Sequence, residues 1–138
     1  MSKLRVLLAE DNEDNFDLVS LLLQRAGYEV LAARDGKEAL EMARSQKPDL
    51  ILMDLSLPEI DGWTVARRLK ANAETKNIPI FALTAHTLPG DRKRALEAGC
   101  DGYFSKPLSV AGFGQALAEA LEKVRAAREA KAASSSTP

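Results

Sequence analysis

The sequence lacks the marks of several functional classes. Its 138 residues hold a single cysteine, Cys100. One thiol excludes an internal disulfide and a thiolate metal site, so Cys100 reads as a small buried hydrophobe. There is also one histidine, His86, and no zinc-ligand spacing. No apolar run approaches the roughly 18 residues of a membrane span. The N-terminus passes straight into Leu4–Ala9 and then acids, which is no signal peptide. Lys and Arg total 19 against 20 Asp and Glu, a net charge of −1. So balanced a surface has no strong field favouring nucleic acid or an anionic membrane, and no helix-turn-helix or basic patch is visible. No repeat with a period of 20–50 residues is present. The cytoplasm is the expected location, with neither nucleic acid nor membrane as a partner.

What is there is an ordinary globular composition, 46% apolar and 28% charged, in a chain long enough for one domain with a real core. Short apolar runs alternate with helical patterns. Strands are expected at Leu4–Ala9, Tyr28–Ala33, Leu50–Met53, Ile78–Leu83 and Asp101–Phe104. The first helix carries Phe16, Val19, Leu22, Leu23 and Ala26 at helical spacing. Asn12 can cap it and Gly27 stops it. Further helices are expected at Lys37–Ser45, at Trp63–Ala71, after Leu88-Pro89-Gly90-Asp91, and after a Ser109 cap, the last with the stripe Phe113, Leu117, Leu121 and Val124. Asp35-Gly36 reads as a turn. Five strands alternating with five helices imply a doubly wound α/β fold, with a parallel sheet between two helical layers.

The chemistry lies at the strand ends. The third strand runs Leu50-Ile51-Leu52-Met53 and stops at Asp54, followed by the loop signals Pro58 and Asp61-Gly62. Open α/β sheets hold ligands outside the carboxyl ends of their strands. Alone, Asp54 could merely begin a loop. The first strand, however, ends in Glu10-Asp11, the fourth in Thr84 and the fifth in Lys106. Three carboxylates, a hydroxyl and an ammonium therefore converge on one sheet edge. Glu10, Asp11 and Asp54 offer the hard oxygens that Mg²⁺ prefers. Lys106 and Thr84 offer a cation and a donor for an anion. That is equipment for phosphoryl transfer onto a carboxylate.

The motifs LLAEDN, DLILMDLSLPEIDG, IPIFALTA and GYFSKP resemble the receiver domain of two-component response regulators, from about Lys3 to Val124. The resemblance implies a flavodoxin-like sheet of order 2-1-3-4-5. It implies Asp54 as phosphoacceptor, and Mg²⁺ held by Glu10, Asp11, Asp54 and the Ser56 carbonyl. It implies phosphoryl contacts from Thr84 and Lys106, a cis peptide before Pro107, and a switch pairing Thr84 with Tyr103. Ser56 and His86 fall at positions that flank the phosphoryl group. Such a protein is not an enzyme toward other substrates, since it catalyses only its own phosphorylation and dephosphorylation.

The receiver is expected over residues 1–125. Residues 126–138 extend the last helix to about Ala132 and then become a disordered Ser-rich tail; fraying and a homodimer or partner contact are both open for this extension. Fourteen residues after Val124 are too few for an output domain, so a stand-alone receiver is expected. Its partners are a sensor histidine kinase or a histidine phosphotransfer protein, and a downstream protein bound on the helix 4–strand 5–helix 5 face. The alternatives are a phosphorelay intermediate, an Asp-nucleophile phosphatase and a scaffold that has lost phosphorylation. Ser56 counts against the phosphatase, which wants a second acid two residues after the nucleophile.

Overall fold

The computed structural model describes residues 3–84, 90–106, 108 and 110–135, and their side chains except those of 91, 92 and 131–135. His86, Leu88, Pro89, Pro107 and Ser109, singled out above, lie outside the described residues, as do 136–138. The strands are β1 (Arg5–Ala9), β2 (Glu29–Ala33), β3 (Leu50–Asp54), β4 (Ile80–Thr84) and β5 (Gly102–Ser105). The helices are α1 (Glu13–Arg25), α2 (Gly36–Gln46), α3 (Gly62–Ala71), α4 (Asp91–Glu97) and α5 (Phe113–Ser135). All strand pairs are parallel, in the order β2-β1-β3-β4-β5.

The period-2 geometry of a strand divides each apolar run between two cores. Leu7, Ile51, Met53, Ile80 and Ala82 point into one, covered by Ala39 and Ala43 of α2 and Val65, Ala66 and Leu69 of α3. Val6, Leu8, Leu50, Leu52, Phe81 and Leu83 point into the other, covered by Phe16, Val19, Leu22 and Leu23 of α1 and Phe113, Leu117 and Leu121 of α5. Each fully buried leucine or isoleucine contributes about 1.5–3 kcal/mol. This burial on both faces is why β1, β3 and β4 read as unbroken apolar runs.

Short polar side chains start the helices. Asn12 Oδ1 accepts from the Asn15 amide at 2.9 Å, and Asp61 Oδ1 from that of Thr64 at 3.0 Å. Asp35 is a cap rather than part of a free turn: its Oδ1 accepts from the Glu38 amide at 2.7 Å, and Gly36 is already the first residue of α2. Gly27, at φ +95°, lies just past α1, in the left-handed conformation that glycine adopts without a Cβ penalty. The fourth strand begins two residues later than the apolar run, at Ile80. Pro79 has no N–H to give, and its carbonyl instead accepts from Ile51 at 2.8 Å. At the other end α5 runs to Ser135, past the expected limit at Ala132.

Candidate functional site

The site forms where β1, β3, β4 and β5 end. Burial holds Asp54 rigidly, because every residue of β3 is inaccessible or nearly so. Glu10, one residue beyond β1, is completely buried, and its amide donates to the Ala33 carbonyl at 3.0 Å. Asp11, the next residue, is exposed. Carboxylate oxygens of Glu10, Asp11 and Asp54 all lie within 4.8 Å of one another. Lys106 reaches in from β5: its Nζ is 2.5 Å from Glu10 Oε1 and 3.0 Å from Asp54 Oδ2. The Lys106 amide donates to the Thr84 carbonyl at 2.8 Å, which fixes the lysine to the end of β4.

Burial sets the electrostatics. It pushes the Glu10 carboxyl up to about 7, helped by its hydrogen bond to Asp54 and opposed by Lys106. Burial works in the same sense on Asp54, but there it loses. Hydrogen bonds from Glu10, the Ser56 amide and Lys106 together hold Asp54 below its ordinary value. The Ser56 amide donates to Asp54 Oδ1 at 2.9 Å. Burial alone would lower Lys106; its two carboxylate partners instead raise it. The pocket thus favours the proton on Glu10 over Asp54 and the charged form of Lys106, as expected for like charges crowded away from water.

The loop after Asp54 is fixed by close backbone packing. The Gly62 amide donates to the Leu55 carbonyl at 3.1 Å, and that of Gly36 to the Pro58 carbonyl at 3.1 Å. A Cβ on Gly62 would stand 2.7 Å from the Asp54 carbonyl oxygen, so only glycine lets α3 begin this near the site. Glu59 takes φ +68° within the loop.

Of the residues marked in the sequence, Glu10, Asp11, Asp54 and Lys106 meet in one cluster, and Ser56 joins it through its amide. Thr84 is buried at the end of β4. Tyr103 lies on β5, level with Ala82, and packs half-buried against the core under α2 and α3. Two features had no signal in the sequence: the complete burial of Glu10 beside an exposed Asp11, and the bridging of both acids by Lys106. The donor set suits a hard divalent cation. Its oxygens are close enough to share one ion, and an ammonium already supplies positive charge at the same point.

A cluster of acids able to share a cation, on the carboxyl edge of a parallel sheet of order 2-1-3-4-5, defines an open α/β protein with its candidate site at its strand ends. The response regulator receiver domain family model matches residues 6–122, and the chain belongs to that family. It is 46% identical over 108 residues to the polar-differentiation response regulator DivK of Brucella anthropi, covering 78% of this chain and 88% of that protein. The receiver domain of the sensor histidine kinase PA1611 from Pseudomonas aeruginosa superposes with a TM-score of 0.80 at 36% identity, covering 88% of this chain and 99% of that one. That crystal structure holds a magnesium ion in its active-site cleft. The chemotaxis response regulator CheY4 of Vibrio cholerae gives a TM-score of 0.80 at 30% identity, covering 86% of this chain and 99% of that one. Among the described residues, no helix is long and apolar enough to cross a membrane.

Proposed function

We propose that Asp54 accepts a phosphoryl group from a histidine kinase or a histidine phosphotransfer protein, and that the phosphorylated form signals by binding another protein. One observation carries this reading: Lys106 Nζ bridges Glu10 and Asp54 at the sheet edge, so an ionised carboxylate and a cation share one pocket. An Asp54 oxygen attacks the phosphorus of a phosphohistidine. The phosphorus–nitrogen bond breaks, its electron pair stays with the imidazole, and the imidazole takes up a proton. Glu10, Asp11, Asp54 and the Ser56 carbonyl would hold Mg²⁺. Bound there, the ion supplies charge neutralisation between two approaching anions. Lys106 and the Thr84 hydroxyl hold the transferred oxygens.

The added charge of about −1.5 to −2 becomes a signal by biasing a bistable element. Thr84 and Tyr103 are that element in this reading, and α4, β5 and α5 form the face that a partner reads. The test is incubation with labelled acetyl phosphate and Mg²⁺. Label is expected on the wild-type chain and absent from Asp54→Asn. Equal labelling of the two would overturn the assignment. Return of label to histidine proteins would mark a relay.

A further inference from the structure

The family match ends at residue 122, yet α5 continues to Ser135. Leu121 is buried and Val124 packs partly against the core, but the turns that follow carry mostly alanine and charge. Alanine favours helix, although three unsupported turns are marginal in water. Arg128, in this extension, bonds back to the body. Arg128 Nη1 donates to the Asn77 carbonyl, and Nη2 is 3.9 Å from Asp101 Oδ1.

Both partners belong to a fixed network at the foot of the sheet. Asp101 Oδ2 accepts from Lys70 Nζ at 2.9 Å and from the Ile80 amide at 2.8 Å. Lys70 Nζ also donates to the carbonyls of Lys76 at 3.2 Å and Ile78 at 3.1 Å. The last turn of α3, the loop into β4 and the turn into β5 are thereby joined at one point, and Arg128 adds α5 to it. On another side of the helix, Arg125 is near enough to Tyr28 for its charge to act on a phenol that burial otherwise pushes up. Between β5 and α5 runs a groove of about 540 Å³, lined by Tyr103, Phe104, Ala120, Val124, Ala127 and Arg128 among others.

We propose that Arg128 is a latch that pins the extension of α5 to Asn77 and Asp101 and so fixes the groove beside β5. An isolated surface ion pair would do little. This one is joined by a charge-assisted hydrogen bond onto a backbone held by Lys70. Its release frees the end of α5 without unfolding the sheet.

The test is amide hydrogen exchange on the full, unphosphorylated chain, so its outcome does not depend on the chemistry at Asp54. Losing a hydrogen bond from a charged donor should speed exchange in residues 124–135 by about tenfold or more in Arg128→Ala. Gly102–Ser105 should quicken as the groove loosens, and α1 should not change. Arg128→Lys keeps the charge but loses the fork, and should fall between wild type and Arg128→Ala. Unchanged exchange over 124–135 would overturn the latch. So would an equal rise in α1, which would mean general destabilisation.

Discussion

Glu10 and Asp54 share one lysine, burial raises both carboxyls, and hydrogen bonds part them: the bond between the two acids raises Glu10 and lowers Asp54, which also accepts from the Ser56 amide. Glu10 is fully buried and Asp54 keeps a small opening to solvent. A carboxyl whose folded value is raised, here from 4.5 to about 7, takes up protons on folding. Its stabilising effect is complete below pH 4.5 and is lost as pH rises toward 7 and beyond, with a ceiling of about 3 kcal/mol. Asp54 acts in another window: its lowered value contributes stability above its ordinary range, and that is lost only in acid. In EDTA, the urea midpoint of the wild type should therefore fall between pH 5 and pH 7.5. Glu10→Gln should show a clearly flatter profile over that interval, and parallel profiles would remove Glu10 as the source. Cys100 makes the complementary case. Burial, with the Asp101 charge beside it, pushes its thiol up to about 12. The native protein at pH 8 should react with a disulfide reagent far more slowly than the protein in urea. Equal rates would contradict the burial.

Between elements, two glycines separate contact from backbone strain. A Cβ on Gly36 would stand 1.7 Å from the Ile60 carbonyl oxygen, part of the loop that follows β3. Gly36→Ala should cost about 2–3 kcal/mol in urea unfolding, because α2 or the loop has to move. Among the described residues nothing lies within 4 Å of a Cβ on Gly90, but its φ is +95°. Gly90→Ala should cost only about 1 kcal/mol, the left-handed penalty alone. Equal losses would mean that the contact at Gly36 is relieved freely. Such contacts explain what was legible in the sequence and what was not. The runs ending at Asp54 and at Glu10-Asp11 were legible, because strands buried on both faces leave unbroken apolar stretches and the site begins where they stop. Asn12 and Gly27 were legible as helix ends, since capping is local chemistry. The role of Asp35 was missed: a cap and a turn use the same residue types, and only the Glu38 amide distinguishes them. Lys70, Asp101 and Arg128 come together from three distant segments, and no periodicity records such a meeting.

At the scale of the molecule, the two cores share the strands that separate them. Ile51 and Leu52 are neighbours in β3 and both are fully buried, but they point into opposite cores. Trp63 packs against the core that holds Ile51 and reports on that side alone. Independent cores would let Leu52→Ala leave the Trp63 transition where it was. A shared sheet forbids this, because losing β3 from one face removes it from the other, and one strand cannot be ordered on one side only. Leu52→Ala and Ile51→Ala should each cost about 2–5 kcal/mol. Trp63 fluorescence and far-ultraviolet circular dichroism should follow a single urea transition in both variants, shifted together. A Leu52→Ala protein whose fluorescence transition stayed at the wild-type midpoint while its dichroism moved would show two separable layers. Coupling through the sheet also bears on signalling. Asp54 ends the strand both cores grip, so in the proposed reading a phosphoryl charge added there would act on an element that neither layer can shift alone.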